Sequence, residues 1–254
     1  MSYRKRSMGT LRIDILTLFP DYFQGPFTVS MVKRATAKRA LDLRVHDLRK
    51  FTTDKHHTAD DVPYGGGAGM VMKPEPLVKA LTALKRGRKK VKTILMSPQG
   101  KKFSHSKAME LSREKSLILV CGHYEGLDER VMKSIDEEIS LGDFVMTGGE
   151  PAAAVIVDSL MRFLPGVVGD MRSVEKDSFF NGLLDYPHYT RPRSFKGMAV
   201  PEVLLSGNHA LIERWRKKES FRNTLRKRPD LLEGMPLTEE DRKLLSEVRK
   251  ELGE

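Results

Sequence analysis

The chain has 254 residues, about 1.7 times the roughly 150 residues of a common domain, which leaves one large domain or two unequal ones. Hydrophobic residues make up 39% and charged residues 31%, with 20 Gly and 13 Pro scattered along the chain, so collagenous, low-complexity and disordered readings are excluded. Lys plus Arg is 45 against 34 Asp plus Glu, and the net charge of +11 points to a polyanionic partner such as nucleic acid.

In chain order, the basic leader Ser2 to Gly9 reads as a loose tail without the apolar core of a secretory signal. Leu11 to Leu18 reads as a buried strand and Thr28 to Ala40 as a helix. His56, His57, Asp60 and Asp61 have no third, separated ligand group, so a substrate-ordered loop is expected there rather than a metal site. Glu75 to Leu84 is helical in spacing, and from Pro76 to Met109 there is no acid against ten bases, Lys79, Lys85, Arg86, Arg88, Lys89, Lys90, Lys92, Lys101, Lys102 and Lys107. Within that basic stretch Val91 to Met96 reads as a second strand, and Ser106 to Arg113 as a helix with Ser104 and Ser106 as candidate caps.

Leu117 to Cys121 is a third strand, and Ala152 to Leu164 an apolar helix opened near Pro151 and stopped by Pro165-Gly166. That helix holds the best apolar run, Ala152 to Val157, which meets Asp158 long before the 18 or more residues a membrane span needs. The lone Cys121 allows no intrachain disulfide, and a cytoplasmic protein is expected. The alternation of strands and helices predicts an α/β fold with a mostly parallel sheet. Periodicity is lost near Gly169, which places a linker over 169–182 between a larger domain, 1–168, and a smaller helical one, 183–254. In the smaller domain Leu211 to Lys227 and Glu239 to Leu252 read as helices, the second with Thr238 and Asp241 in capping-box spacing. The first carries Arg214, Arg216, Lys217, Lys218, Arg222, Arg226, Lys227 and Arg228 against only Glu213 and Glu219, a candidate phosphate-facing surface.

Dinucleotide, P-loop, zinc-protease and hydrolase signatures are absent. Four glycine-bearing loops are present instead: Pro63 to Gly69, Ser97 to Gly100, Cys121 to Gly126 and Leu141 to Glu150. Three of them follow or interrupt strand-like runs, where open α/β sheets collect ligands and glycine lets backbone approach them. As a set they predict a backbone-lined pocket.

The loops P-Y-G-G-G-x-G-M, S-P-Q-G, C-G-x-Y-E-G-x-D-E-R and G-D-x-x-x-T-G-G-E, with D-S-F-x-x-G-L-L-D-x-P-H-Y-T-R-P over Asp177 to Pro192, resemble those of the bacterial tRNA (guanine-N1)-methyltransferase family, TrmD. The resemblance runs collinearly from about Leu11 to the C-terminus. It implies a homodimeric SPOUT-class fold with a deep trefoil knot followed by a small helical, tRNA-binding domain. The implied reaction is methyl transfer from S-adenosylmethionine to N1 of the guanosine immediately 3′ of the anticodon, position 37 of tRNA. The knot comes from the resemblance alone, because topology rules would discard it.

By the same resemblance the cofactor is held by Leu95, Ser97, Pro98 and Gln99, by Gly122, Tyr124, Glu125 and Gly126, by Leu141, Gly142, Asp143, Phe144, Val145 and Met146, and by Gly148 and Gly149. Asp177 is the implied base and Arg162 its electrophilic helper, with Asp177 and the small domain acting on the partner subunit's pocket. Asp60, Ser173, Asp185 and His188 match positions around the tRNA bases. Mg2+ is associated with the family, although the sequence shows no all-protein magnesium cage. Two departures border the pocket: His123, where many relatives have arginine, and Pro151 directly after Glu150.

The chemistry is coherent with these residue types. Guanine N1 carries a proton and lies on the Watson-Crick edge, so the base must be unpaired, as a loop nucleotide is. An aspartate carboxylate is ordinarily a weak base, and a guanidinium near O6 would stabilise the charge that develops as N1 loses its proton. Without the resemblance, the preferred reading of Asp177 is a cap before Ser178-Phe179, and Arg162 reads as a surface residue of an amphipathic helix. The competing functions are a SPOUT enzyme acting on another RNA base or ribose, and an RNA-binding relative without catalysis.

Overall fold

The computed structural model describes residues 9–169 and 171–253, and the chain divides into two compact units between Met171 and Arg172. In the first unit the strands are Leu11–Thr17 (β1), Leu41–Asp47 (β2), Lys92–Lys102 (β3), Ser116–Cys121 (β4) and Glu137–Ser140 (β5). They form one sheet of order β2-β1-β4-β3-β5, and every pairing in it is parallel. All six residues of β4 are buried, as a central parallel strand covered on both faces requires. The edge strands β2 and β5 were not expected from the sequence.

The helices are Ser30–Ala37 (α1), Pro74–Lys85 (α2), His105–Leu111 (α3) and Glu150–Met161 (α4). Leu77, Leu81 and Leu84 of α2 join Leu16, Leu95, Ile118 and Val120 of the sheet in one apolar cluster. Helix α4 buries Ala152, Ala153, Ile156, Val157 and Leu160 and packs on α1, α3 and β4. The expected caps form: Ser104 accepts from the backbone N–H of Lys107 at 3.2 Å, and Pro151 occupies the first turn of α4, where its missing N–H costs nothing. Helix α1 is shorter than the expected 28–40, because Ser30 has φ 52° and the backbone turns before it.

One strand positions the site. β3 pairs with Ile139 of β5 through Met96 and again through Lys101, so Ser97 to Gly100 loop out between two contacts with the same neighbour. A Cβ at Gly100 would run into the backbone of Glu138 and Ile139, so only glycine lets the returning strand close on β5.

The basic run does not present ten free cations. Arg88 donates to Asp14 at 2.6 Å, Lys92 and Lys107 pair with Glu110 and Glu137, and Lys102 pairs with Asp143. Asp14, fully buried in β1, is also bonded by Arg12 at 2.9 Å and by His46 at 2.7 Å. Burial pushes its carboxyl up, but the bonds from His46, Arg12 and Arg88 outweigh that and hold it well below the usual carboxylate range. A carboxyl lowered in the folded state stabilises above the unfolded value of about 3.9 and loses that contribution as pH falls toward the folded value. Asp14→Asn is therefore expected to cost about 3 kcal/mol at neutral pH in urea unfolding, since it leaves a clustered set of cations without their counter-charge. It should also flatten the acid limb of stability below about pH 4 by one proton.

The second unit contains Met171–Lys176 (α5), His209–Lys227 (α6) and Glu239–Leu252 (α7). Part of the expected linker is thus helical, and Lys176 bonds Glu213 of α6 at 2.8 Å. Helices α6 and α7 pack through Phe221, Leu244, Leu245 and Val248. Both bonds of the Thr238 and Asp241 capping box are present. The cationic face of α6 is a correction to the sequence reading. Asp241, Glu247 and Glu251 of α7 pair with Lys217, Lys218, Arg214 and Arg222. These pairs join residues 24 or more positions apart, so counting charges along α6 overstates its free cation.

Candidate active site

Beyond the carboxyl ends of β3, β4 and β5 lies a cavity of about 370 Å³. Three of the four glycine-bearing loops meet there. Ser97, Pro98 and Gln99 come from the interruption of β3, with Leu95 beneath them, and Gly122, Tyr124, Glu125 and Gly126 follow β4. Leu141, Phe144, Val145, Met146, Gly148 and Gly149 come from the loop between β5 and α4. Gly142 and Asp143 belong to that loop but do not line the cavity, and Asp143 instead pairs with Lys102 at 2.6 Å. The fourth loop, Pro63 to Gly69, is absent from the lining. Its contribution is indirect: Gly69, at φ +87°, leaves no room for a side chain against Glu125.

The sequence reading missed Met96, Leu127, Glu129, Met132, Glu138, Ile139, Ser140, Thr147 and Ala152, which also line the cavity, as does His123, expected only to border it. Glu138, Ile139 and Ser140 belong to the unrecognised β5, whose four residues are too few for a periodic signal. His123 and Thr147 lie inside loops already singled out and needed only to be carried along with them.

The loops are tied to one another by backbone bonds. Gly149 donates to Gly122 O at 2.9 Å, Gly126 to His123 O at 3.2 Å and Glu125 to Met70 O at 3.0 Å, while Tyr124 takes φ 58° to make the turn. Glu150 is buried at the start of α4 and accepts from the Thr17 hydroxyl, while its other oxygen bonds His123 Nε2 at 2.7 Å. His123 thus anchors its loop to α4, and its ring lies 4.7 Å from that of Phe19 in a tilted contact. Cys121 is buried beneath, and burial raises its thiol pKa, so it is no nucleophile.

A Cβ at Gly149 would lie 2.8 Å from Cys121 Cα, 2.9 Å from Met96 Cβ and 3.0 Å from Gly122 N. Its φ of −82° suits alanine, so any penalty is one of space. Gly149→Ala is expected to push α4 away from the ends of β3 and β4, costing about 1–3 kcal/mol in thermal unfolding. It should weaken small-ligand binding in the cavity about tenfold in calorimetric titration, since a misfit of that size corresponds to 1.4 kcal/mol or more.

The cavity's charge contrasts with that of the chain. Glu125, Glu129 and Glu138 line it, and among the described residues no Lys or Arg does. Apolar walls from Leu95, Met96, Ile139 and Leu141 together with these glutamates suit a small, partly apolar ligand bearing positive charge.

The remaining candidates lie elsewhere. Arg162 is exposed at the C-terminal cap of α4 in the first unit. Asp177 is half-buried just after α5 in the second, where its backbone N–H donates to Val174 O and its carbonyl accepts from Phe180 N, both at 3.3 Å. A turn follows it rather than a helix, so the capping alternative does not hold. Asp60 pairs with Met72 in a two-residue antiparallel ladder, and Ser173 is exposed on α5. Asp185 and His188 are brought together: Asp185 accepts from Tyr186 N at 2.7 Å and from His188 Nε2 at 2.8 Å.

A parallel α/β sheet with a glycine-built, carboxylate-bearing cavity at its carboxyl edge defines a small-ligand-binding enzyme class rather than a structural module. The profile of the family described as tRNA (Guanine-1)-methyltransferase TrmD matches residues 11–234. Proteins named tRNA (guanine-N(1)-)-methyltransferase are similar over nearly the full length: that of Dictyoglomus turgidum is 56% identical across 96% of this chain and 99% of its own. That of Dehalococcoides mccartyi strain 195 is 54% identical across 95% and 98%, and that of Geobacter sp. strain M21 is 54% identical across 94% and 97%. The chain belongs to the TrmD family of tRNA (guanine-1)-methyltransferases.

Proposed function

We propose that the protein transfers a methyl group from S-adenosylmethionine to N1 of the guanosine immediately 3′ of the anticodon, position 37 of tRNA. The observation that carries the cofactor assignment is the cavity just described, with three carboxylates and no Lys or Arg among the described lining residues of a chain of net charge +11. A cationic sulfonium and ammonium fit that donor set, and the glycines at 122, 148 and 149 leave the loops close enough to clasp a ligand. The residues suit the group; they would hold it through the loops 97–99, 122–126 and 141–149. When bound, S-adenosylmethionine supplies a methyl group already activated by its sulfonium.

In this reading the protein's own work is positioning and proton handling. Asp177 accepts the N1 proton of the unpaired guanine, and Arg162 stabilises the negative charge that spreads to O6. Asp60, Ser173, Asp185 and His188 hold the neighbouring nucleotides, and the bonded pair of Asp185 and His188 supports a shared task. From the family resemblance we assign the site to a homodimer in which Asp177 serves the partner subunit's cavity, within a knotted SPOUT fold and a cytoplasmic setting. The domains in this scheme are 1–168 for the cofactor, 169–182 as linker and 183–254 for tRNA. Mg2+ is assigned no step, since the described residues contain no group of three or more potential metal ligands.

The test is mass mapping of the modified nucleotide after incubating the purified protein with S-adenosylmethionine and two tRNA transcripts, with guanosine or adenosine after the anticodon. Methyl incorporation only into the first, at N1, is expected. Equal labelling of both, or labelling at a ribose, would overturn the assigned substrate.

A further inference from the structure

The second unit contains a cavity of about 510 Å³ remote in sequence from the cofactor loops. Its walls include Tyr186, Tyr189 and Arg191 from the chain before α6, and Ile212, Trp215 and Arg216 from α6 itself. Tyr189 is 49% exposed, and its ring lies 6.4 Å from that of half-buried Trp215 at 53°, so two aromatic faces border an open space. The guanidinium of Arg216 lies over the Tyr186 ring at 5.0 Å. Among the described residues no carboxylate lines the cavity, and Arg191 has no ion-pair or hydrogen-bond partner. This differs from the face of α6 neutralised by α7, and its aromatic and cationic character is the reverse of the carboxylate-bearing cofactor cavity.

We propose that this cavity takes one unpaired base of the tRNA, other than the methylated guanine, by stacking on Tyr189 and Trp215, with Arg191 on the adjoining phosphate. The proposal rests on the tRNA reading above and adds a second base-binding site to it. Aromatic faces bind any base through its π surface, and a cation beside them tracks the backbone, which is how single-stranded RNA is held. A paired helix presents no free base face and cannot fill the space.

Trp215 is the only tryptophan, beside six tyrosines, so fluorescence excited selectively at tryptophan reports on this residue. Titration of a tRNA transcript into the wild-type protein is expected to quench it, whereas a fully paired, two-stranded RNA duplex leaves it unchanged. Tyr189→Leu should weaken transcript binding about tenfold, within the range of lost base stacking. Arg191→Ala should weaken it and lower the slope of log affinity against log salt by about one, as loss of a phosphate contact requires. Absence of quenching by the transcript, or equal quenching by the paired duplex, overturns the proposal. A signal that follows protein concentration instead of RNA assigns the cavity to a second copy of the chain and also overturns it. Methyl transfer to the same transcript, measured in parallel, separates the two readings: transfer without quenching removes this site alone, and quenching without transfer removes the enzymatic reading.

Discussion

Asp177→Ala is expected to lower single-turnover methyl transfer by about 10²–10⁴-fold, the usual worth of a positioned general base, while leaving S-adenosylmethionine binding unchanged. The separation is anticipated because the cofactor cavity is built wholly from the first unit and Asp177 belongs to the second. Asp177→Asn keeps the shape and loses the basicity, so it should be as defective as alanine. An asparagine variant with normal turnover would show that the side chain positions the guanine without taking its proton. Unfolding midpoints should shift little in either variant, since Asp177 is only half-buried and its backbone bonds to Val174 and Phe180 survive the substitution.

The second large effect is expected at Arg162. Arg162→Ala should reduce turnover by about 10²–10³-fold, equivalent to the 2.7–4 kcal/mol commonly lost with one donor at a developing oxyanion. Lysine at this position should recover only part of the loss, because it keeps the charge but not the planar fork. Subunit mixing then tests the homodimer. A heterodimer of one Asp177→Ala subunit and one Arg162→Ala subunit should regain activity at one of its two sites, since one cavity then has its own Arg162 and the partner's intact Asp177. Two defective homodimers and an equally dead heterodimer would place both residues in the same subunit's site and remove the cross-subunit assignment.

The strands were legible where burial is complete. Ser116–Cys121 is a nearly continuous apolar run because both sheet faces are covered, and Leu11–Thr17 keeps Leu and Ile at four of its seven positions despite Arg12 and the ion-paired Asp14, so both are visible without any partner. Leu41–Asp47 and Glu137–Ser140 were not legible because edge strands keep one side open and admit Asp, Arg, His and Glu. Helix ends read well for a different reason. The bonds of Ser104 to Lys107 and of Thr238 to Asp241 close within three residues, so the whole interaction is written locally.

The candidate site divides along the same line. Glycines after strand-like runs marked three loops of the cofactor cavity, and the collinear family resemblance marked Arg162 and Asp177, which no spacing argument singles out. The contributions of Glu138 and Ile139, the displacement of Asp143 toward Lys102 and the withdrawal of the Pro63 to Gly69 loop required coordinates.

By itself the sequence determined the α/β character, the strand cores, the capped helices and the resemblance to a tRNA methyltransferase family, because each depends on residues near one another in the chain or on a collinear motif. Tertiary structure alone decided which charges remain available. Arg88 is spent on buried Asp14 and most of the α6 cations on α7, while Arg191 has no partner among the described residues and the cofactor cavity keeps its three carboxylates. Electrostatic interaction falls with distance through space and is blind to separation along the chain, so only the fold can say which charges meet.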